Sequence, residues 1–115
     1  MQIMTIYSFS DVLLLPFPFS NQISTKKRPS VVISSNSYNQ YKPDIIIIGI
    51  TSQTNTPLTE NELSIIKFSE AGLLKPSIIK PVIATIDKNL VIKKLGQLQK
   101  EDAHNLHHLM ARILG

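Results

Sequence analysis

Five isoleucines fall within the eight residues Asp44-Ile45-Ile46-Ile47-Ile48-Gly49-Ile50-Thr51. Branching at Cβ favours extended backbone over helix. The run has no polar residue at alternate positions, so it reads as a strand buried on both faces. Gly49 interrupts it and marks a bulge or a close backbone approach. From Ile45 to Ile50 the stretch is far too short to cross a membrane as a helix. It ends abruptly in Thr51-Ser52-Gln53-Thr54, a cluster of hydroxyl and amide groups that is either a polar turn or part of a site.

The segment before it carries a second constraint. Lys26-Lys27-Arg28 ends at Pro29, and Val31-Val32-Ile33 follows at once. Proline has no N–H for a ladder and pushes the residue before it toward extended geometry, so Pro29 marks the entrance of a second strand running to Ser35. Arg28 then stands at the mouth of a buried strand, where a guanidinium can hold a phosphate through forked hydrogen bonds. The bland alternative for the triplet is a solvated basic loop.

The chain has 115 residues, enough for one domain with a real core and too few for two. Its hydrophobic content of 43% belongs to a globular protein. Cysteine is absent, which excludes disulfides and cysteine metal sites. The N-terminus lacks the basic and apolar regions of a secretory signal, and a cytoplasmic protein is expected, with no membrane partner. A net charge of +4 and a pI near 9.5 favour polyanions without naming one. Lys93-Lys94 is a second basic pair.

A first strand covers Ser8 to Leu15, and Pro16-Phe17-Pro18-Phe19 is expected to break it. The connection to Pro29 then carries aromatics at one end and cations at the other. Aromatic faces stack on unpaired bases while cations hold phosphates; alternatively Phe17 and Phe19 cap the core. Asn36 to Pro43 reads as a polar connection. Glu62 to Ile66 or Phe68 reads as a strand, and Ser69 to Pro76 as a turn containing Gly72. Ser77 to Ile79 and Val82 to Asp87 read as strand pieces separated by Lys80-Pro81, and Asn89 to Leu95 as a strand or a strand entering a helical turn. Short strands at such intervals indicate a small barrel or sandwich.

The period changes at the C-terminus. Ala103, Leu106, Met110 and Ile113, with Leu109 and Leu114 alongside, mark one face of a helix over Lys100 to Leu114. Glu101 and Asp102 at its start and Arg112 near its end suit the helix dipole. His104 and His108 are four apart and share a face, but Asn105 stands where a zinc-protease motif has glutamate. The three histidines, including His107, are read as solvated or packing residues, and no metal or cofactor is assigned.

Asp11-Val12-Leu13-Leu14-Leu15-Pro16-Phe17-Pro18-Phe19, Lys26 to Ser34 and Ile50-Thr51-Ser52-Gln53 together resemble MazF/PemK-type toxin endoribonucleases. Thr85-Ile86-Asp87-Lys88, Leu95-Gly96-Gln97-Leu98 and the final helix extend the resemblance over nearly the whole chain. It implies a mainly β fold with a C-terminal helix, an SH3-like barrel of the CcdB/PemK type. It also implies a homodimer that cuts single-stranded RNA selectively and without metal, and that a cognate antitoxin neutralises. The family's catalytic arginine and threonine fall on Arg28 and Thr51. The RNA-contacting loop runs from Phe17 to Lys27. Expected RNA contacts are Phe17, Phe19, Ser20, Lys26 and Lys27, joined by Ser52, Gln53 and Lys80.

Those residue types suit attack by the neighbouring 2′-hydroxyl on its phosphate. Arg28 matches phosphate geometry and stabilises added charge, and Thr51 donates to a phosphate or leaving oxygen. A guanidinium is a poor general base, and the motif names no other. The chain departs from many relatives in having Ser10 in place of glycine before Asp11. It lacks a glycine and glutamate in the first loop. Val82 and Ile83 stand where relatives read a base, leaving Lys80 as the nearest polar candidate. Two other classes remain: a toxin of the same fold that poisons a protein such as DNA gyrase, for which Arg28 and Thr51 would be incidental, and a catalytically silent SH3-like binding module.

Overall fold

The computed structural model describes residues 6–17, 26–52 and 57–115, with the Phe17 side chain outside the description. Among the described residues, six strands form one antiparallel sheet: β1 (Asp11–Phe17), β2 (Lys26–Val32), β3 (Asp44–Thr51), β4 (Leu63–Ser64), β5 (Ile78–Asp87) and β6 (Lys93–Gln97). Their spatial order is β4-β5-β3-β2-β1-β6. Helix α1 (Asn36–Tyr41) joins β2 to β3, a 3-10 turn (Lys88–Leu90) precedes β6, and α2 (Lys100–Leu114) ends the chain.

The isoleucine strand has the bounds its sequence indicates, and it carries core on both sides. Ile48 and Ile50 join Val12, Val31, Ile79 and the α2 residues Leu106 and Leu109. Ile45 and Ile47 turn the other way, toward Leu13, Leu15, Val32 and Tyr7. Strand alternation therefore sorts one run of isoleucines into two clusters. Opposite Gly49 the β3–β5 register slips, with Ile48 beside Ile83 but Ile50 beside Ile79. The extra residues lie on β5 at Lys80-Pro81-Val82, so the expected break is a bulge within one continuous strand.

Strands β1 and β2 run further than the prolines suggested. Pro16 pairs with Lys27, and Phe17 with Lys26, so the basic triplet lies in β2 rather than in a loop. Pairing with β6 ends at Leu14, and pairing with β3 begins at Ser30. Pro16 and Pro29 thus sit where each strand has one neighbour, the setting in which a missing N–H is tolerated.

Two further expectations are corrected. The polar connection after β2 contains helix α1, started by the Ser35 hydroxyl accepting from the Tyr38 N–H. Ser34 and Asn39 hydrogen-bond each other, and Lys88 donates to the Asn39 carbonyl, which pins this helix to the sheet. The strand expected from Glu62 contracts to Leu63–Ser64, because Ile66 to Gly72 turn away. That turn curls the sheet. Gly72, at φ 88°, lies against β6, where a Cβ would come 2.1 Å from the Leu95 carbonyl oxygen. A Cβ on Gly96 would come 2.4 Å from the Ala71 oxygen, so the two glycines let opposite edges of the sheet touch.

Helix α2 keeps its expected span and buries Leu106 and Leu109, but Leu114 is exposed. Asp102 is fully buried and accepts from the Ile66 and Lys67 N–H groups, both at 2.9 Å. Its carboxylate holds the turn after β4 as well as standing in the helix's first turn.

Candidate active site

The β2–β3 ladder runs Val32 beside Ile47, Val31 beside Ile48 and Ser30 beside Gly49. Continued by two residues, that register sets Arg28 opposite Thr51. Both stand at the same end of the sheet, just past the last pair of the β2–β3 ladder, and Thr51 pairs with Ile78 of β5. Arg28 also pairs with Leu15, whose side chain belongs to the Tyr7 cluster, and Thr51 alternates with Ile50, which faces α2. Arg28 and Thr51 therefore project from the sheet face opposite α2. Each is half-buried, and the Nε of Arg28 is shielded from water. Buried Ser30 lies between Arg28 and Val32 on this face, with Gly49 across from it.

The remaining expected contacts divide. Lys26 shares the parity of Arg28 and is exposed, whereas Lys27 alternates to the α2 side. Ser52 is exposed and follows Thr51 on that same far side. With Pro29, Leu14, Leu73, Leu95 and Lys93 it lines a cleft of 370 Å³. That cleft lies across the sheet from Arg28 and Thr51, and neither lines it. Lys80 sits at the β5 bulge in an ion pair with Glu62. The hydrogen bond from Lys80 lowers the Glu62 pKa below the usual 4.5, helped by a backbone donor from Thr59. This partnership spans eighteen residues and leaves no local signal in the sequence. Phe19, Ser20 and Gln53, and the Phe17 side chain, lie outside the described residues.

At the far end of the molecule, His107 stacks on Phe9 with ring centroids 4.2 Å apart. His104 and His108 are exposed on α2 and adjoin each other. Among the described residues no helix is long and apolar enough to cross a membrane.

Residues 9–114 match the family described as PemK-like, MazF-like toxin of type II toxin-antitoxin systems. The chain belongs to this family. It is 32% identical over 89 residues to the Endoribonuclease MazF of Staphylococcus saprophyticus, covering 76% of this chain and 73% of that one. Among solved structures, an endoribonuclease from a Mycobacterial species superposes with a TM-score of 0.77 at 15% identity, covering 99% of this chain and 96% of that one. An endoribonuclease in complex with its cognate antitoxin, also Mycobacterial, gives 0.74 at 15% identity, covering 97% and 96%. The curled sheet with its terminal helix is thus the MazF fold, the SH3-like barrel of the CcdB/PemK type.

Proposed function

We propose that this MazF-like endoribonuclease cuts single-stranded RNA at selected sequences by attack of the 2′-hydroxyl on the adjoining phosphate. The products are a 2′,3′-cyclic phosphate and a 5′-hydroxyl end. Arg28 and Thr51 carry the reaction. Arg28 holds the non-bridging oxygens and stabilises the charge that accumulates on the phosphorane, while Thr51 donates to a phosphate or leaving oxygen. Both contributions come from side-chain donors, and the reaction is metal-independent in this reading.

The observation that carries it is the convergence of Arg28 and Thr51 from two strands onto one face of the sheet. The shielding of Arg28 strengthens it, since a guanidinium set among fixed neighbours is already oriented when substrate arrives. Lys26, on the same face, is placed to attract the strand that leads into the site. Phe17, Phe19, Ser20, Lys27, Ser52, Gln53 and Lys80 remain candidate RNA contacts. Of these, Lys80 must exchange its bond to Glu62 for one to RNA.

The reading extends to assembly. The 115 residues form a single toxin domain, active in the cytoplasm as a homodimer. A cognate antitoxin neutralises it by occluding RNA grooves near the dimer interface. The solved complex of a similar endoribonuclease with its cognate antitoxin supports an antitoxin as partner.

Metal-free cleavage of a long single-stranded RNA in EDTA tests the chemistry. Wild type should give discrete cuts bearing cyclic phosphate ends. Arg28→Ala and Thr51→Ala should each slow cutting by about 100- to 1,000-fold, the usual cost of losing one transition-state donor. Unchanged cutting by folded Arg28→Ala would remove the proposed role of that residue. No cutting by folded wild type would turn attention to a protein target.

A further inference from the structure

The Nε2 atoms of His104 and His108 lie 3.1 Å apart on the exposed side of α2. At that separation the two rings are within hydrogen-bond distance of each other. The distance also has a second meaning. Imidazole nitrogens bind zinc and similar ions at about 2.0–2.1 Å. Two nitrogens 3.1 Å apart, each at that distance from one ion, subtend roughly 100° at the ion. This falls between the right angle of neighbouring octahedral positions and the tetrahedral angle. The pair therefore meets the distance requirement for sharing one ion.

We propose that His104 and His108 form a two-imidazole site for a late first-row divalent cation such as nickel or zinc. The ion takes the Nε2 lone pairs of both neutral rings, a ring that carries its proton on Nε2 moving it through solvent to its own Nδ1, and water fills the remaining positions. Asn105 in place of glutamate argues against a hydrolytic zinc centre, but an ion held by two imidazoles needs no general base. The surroundings set the strength of binding. His104 borders a shallow pocket that also contains Lys67, Lys100, Gln99 and Glu101. The two lysines oppose a dication and Glu101 offsets one of them, so binding is moderate. Borderline-soft imidazole favours nickel, copper or zinc, whereas magnesium and calcium prefer oxygen.

The site bridges successive turns of the helix whose other face places Leu106 and Leu109 in the core. An ion that spans those turns in the folded chain, and finds no such geometry in the unfolded one, stabilises the domain by mass action. The site lies away from Arg28 and Thr51, and cleavage in EDTA is independent of it.

Thermal unfolding and titration calorimetry of untagged protein test the proposal, with nickel(II) and zinc(II) as probes and magnesium(II) as control. Excess nickel or zinc should raise the midpoint by about 5 °C, and magnesium should leave it unchanged. His104→Ala and His108→Ala should each abolish calorimetric binding and the shift while unfolding normally without metal, since both positions are exposed. His107→Ala should retain both. No heat and no shift in wild type would overturn the site, as would equal binding by wild type and both alanine variants.

Discussion

Ser10 occupies left-handed backbone, at φ 73°, in the tight turn that leads into β1. It is buried, its N–H bonds the Val32 carbonyl, and its own carbonyl accepts from Leu98, so the turn cannot relax toward an ordinary conformation. A side chain here carries a steric cost that glycine avoids. Ser10→Gly should raise stability by about 1 kcal/mol, read as a higher urea midpoint with an unchanged slope. Asp102 presents the opposite case. Its buried carboxylate satisfies two N–H groups of the turn after β4, and Asp102→Ala should cost about 2–3 kcal/mol in the same experiment. The sequence indicates an acidic residue suited to a helix start; its bonds to Ile66 and Lys67 depend on a contact across thirty-six and thirty-five residues, which no local pattern encodes.

Among the elements, β3 and α2 were legible because each is defined by its own side chains: an unbroken β-branched run and a helical apolar period. The shorter elements depend on neighbours. Strand β2 begins at Lys26 because β1 continues through Pro16 beside it, and two prolines that read as breaks become tolerable where each strand has one partner. Strand β5 is continuous because a bulge absorbs Lys80-Pro81 opposite Gly49. Arg28 and Thr51 were legible as candidates from their motifs, but their common face follows from register, which the sequence leaves open. The contact between the turn after β4 and β6 belongs to this scale as well. Gly96→Ala would force a methyl group against the Ala71 carbonyl, and the expected loss is about 1–3 kcal/mol, measurable by thermal unfolding.

For the whole molecule, the proposed dimer makes activity depend on concentration. Diluting the toxin until it dissociates should reduce cleavage per chain, followed by parallel sedimentation and RNA assays. A monomer that cuts at the undiminished rate would exclude RNA grooves built by both subunits at the proposed dimer interface. Antitoxin addition should protect the same RNA cuts that Arg28→Ala removes, because both act on one surface in this proposal.

Alternation along β3 has a consequence for how this chain can change over time. Ile48 and Ile50 serve the helix side, Ile45 and Ile47 serve the other, and Thr51 inherits its direction from that count. The sheet is a partition. Substitutions beneath α2 can drift and compensate among themselves while the proposed reactive surface keeps its shape. A single inserted or deleted residue between Ile47 and Thr51 acts differently, since it would turn the threonine to the wrong side while leaving the composition almost intact. Point substitution is the permitted currency of variation in this strand, and changes of length are not.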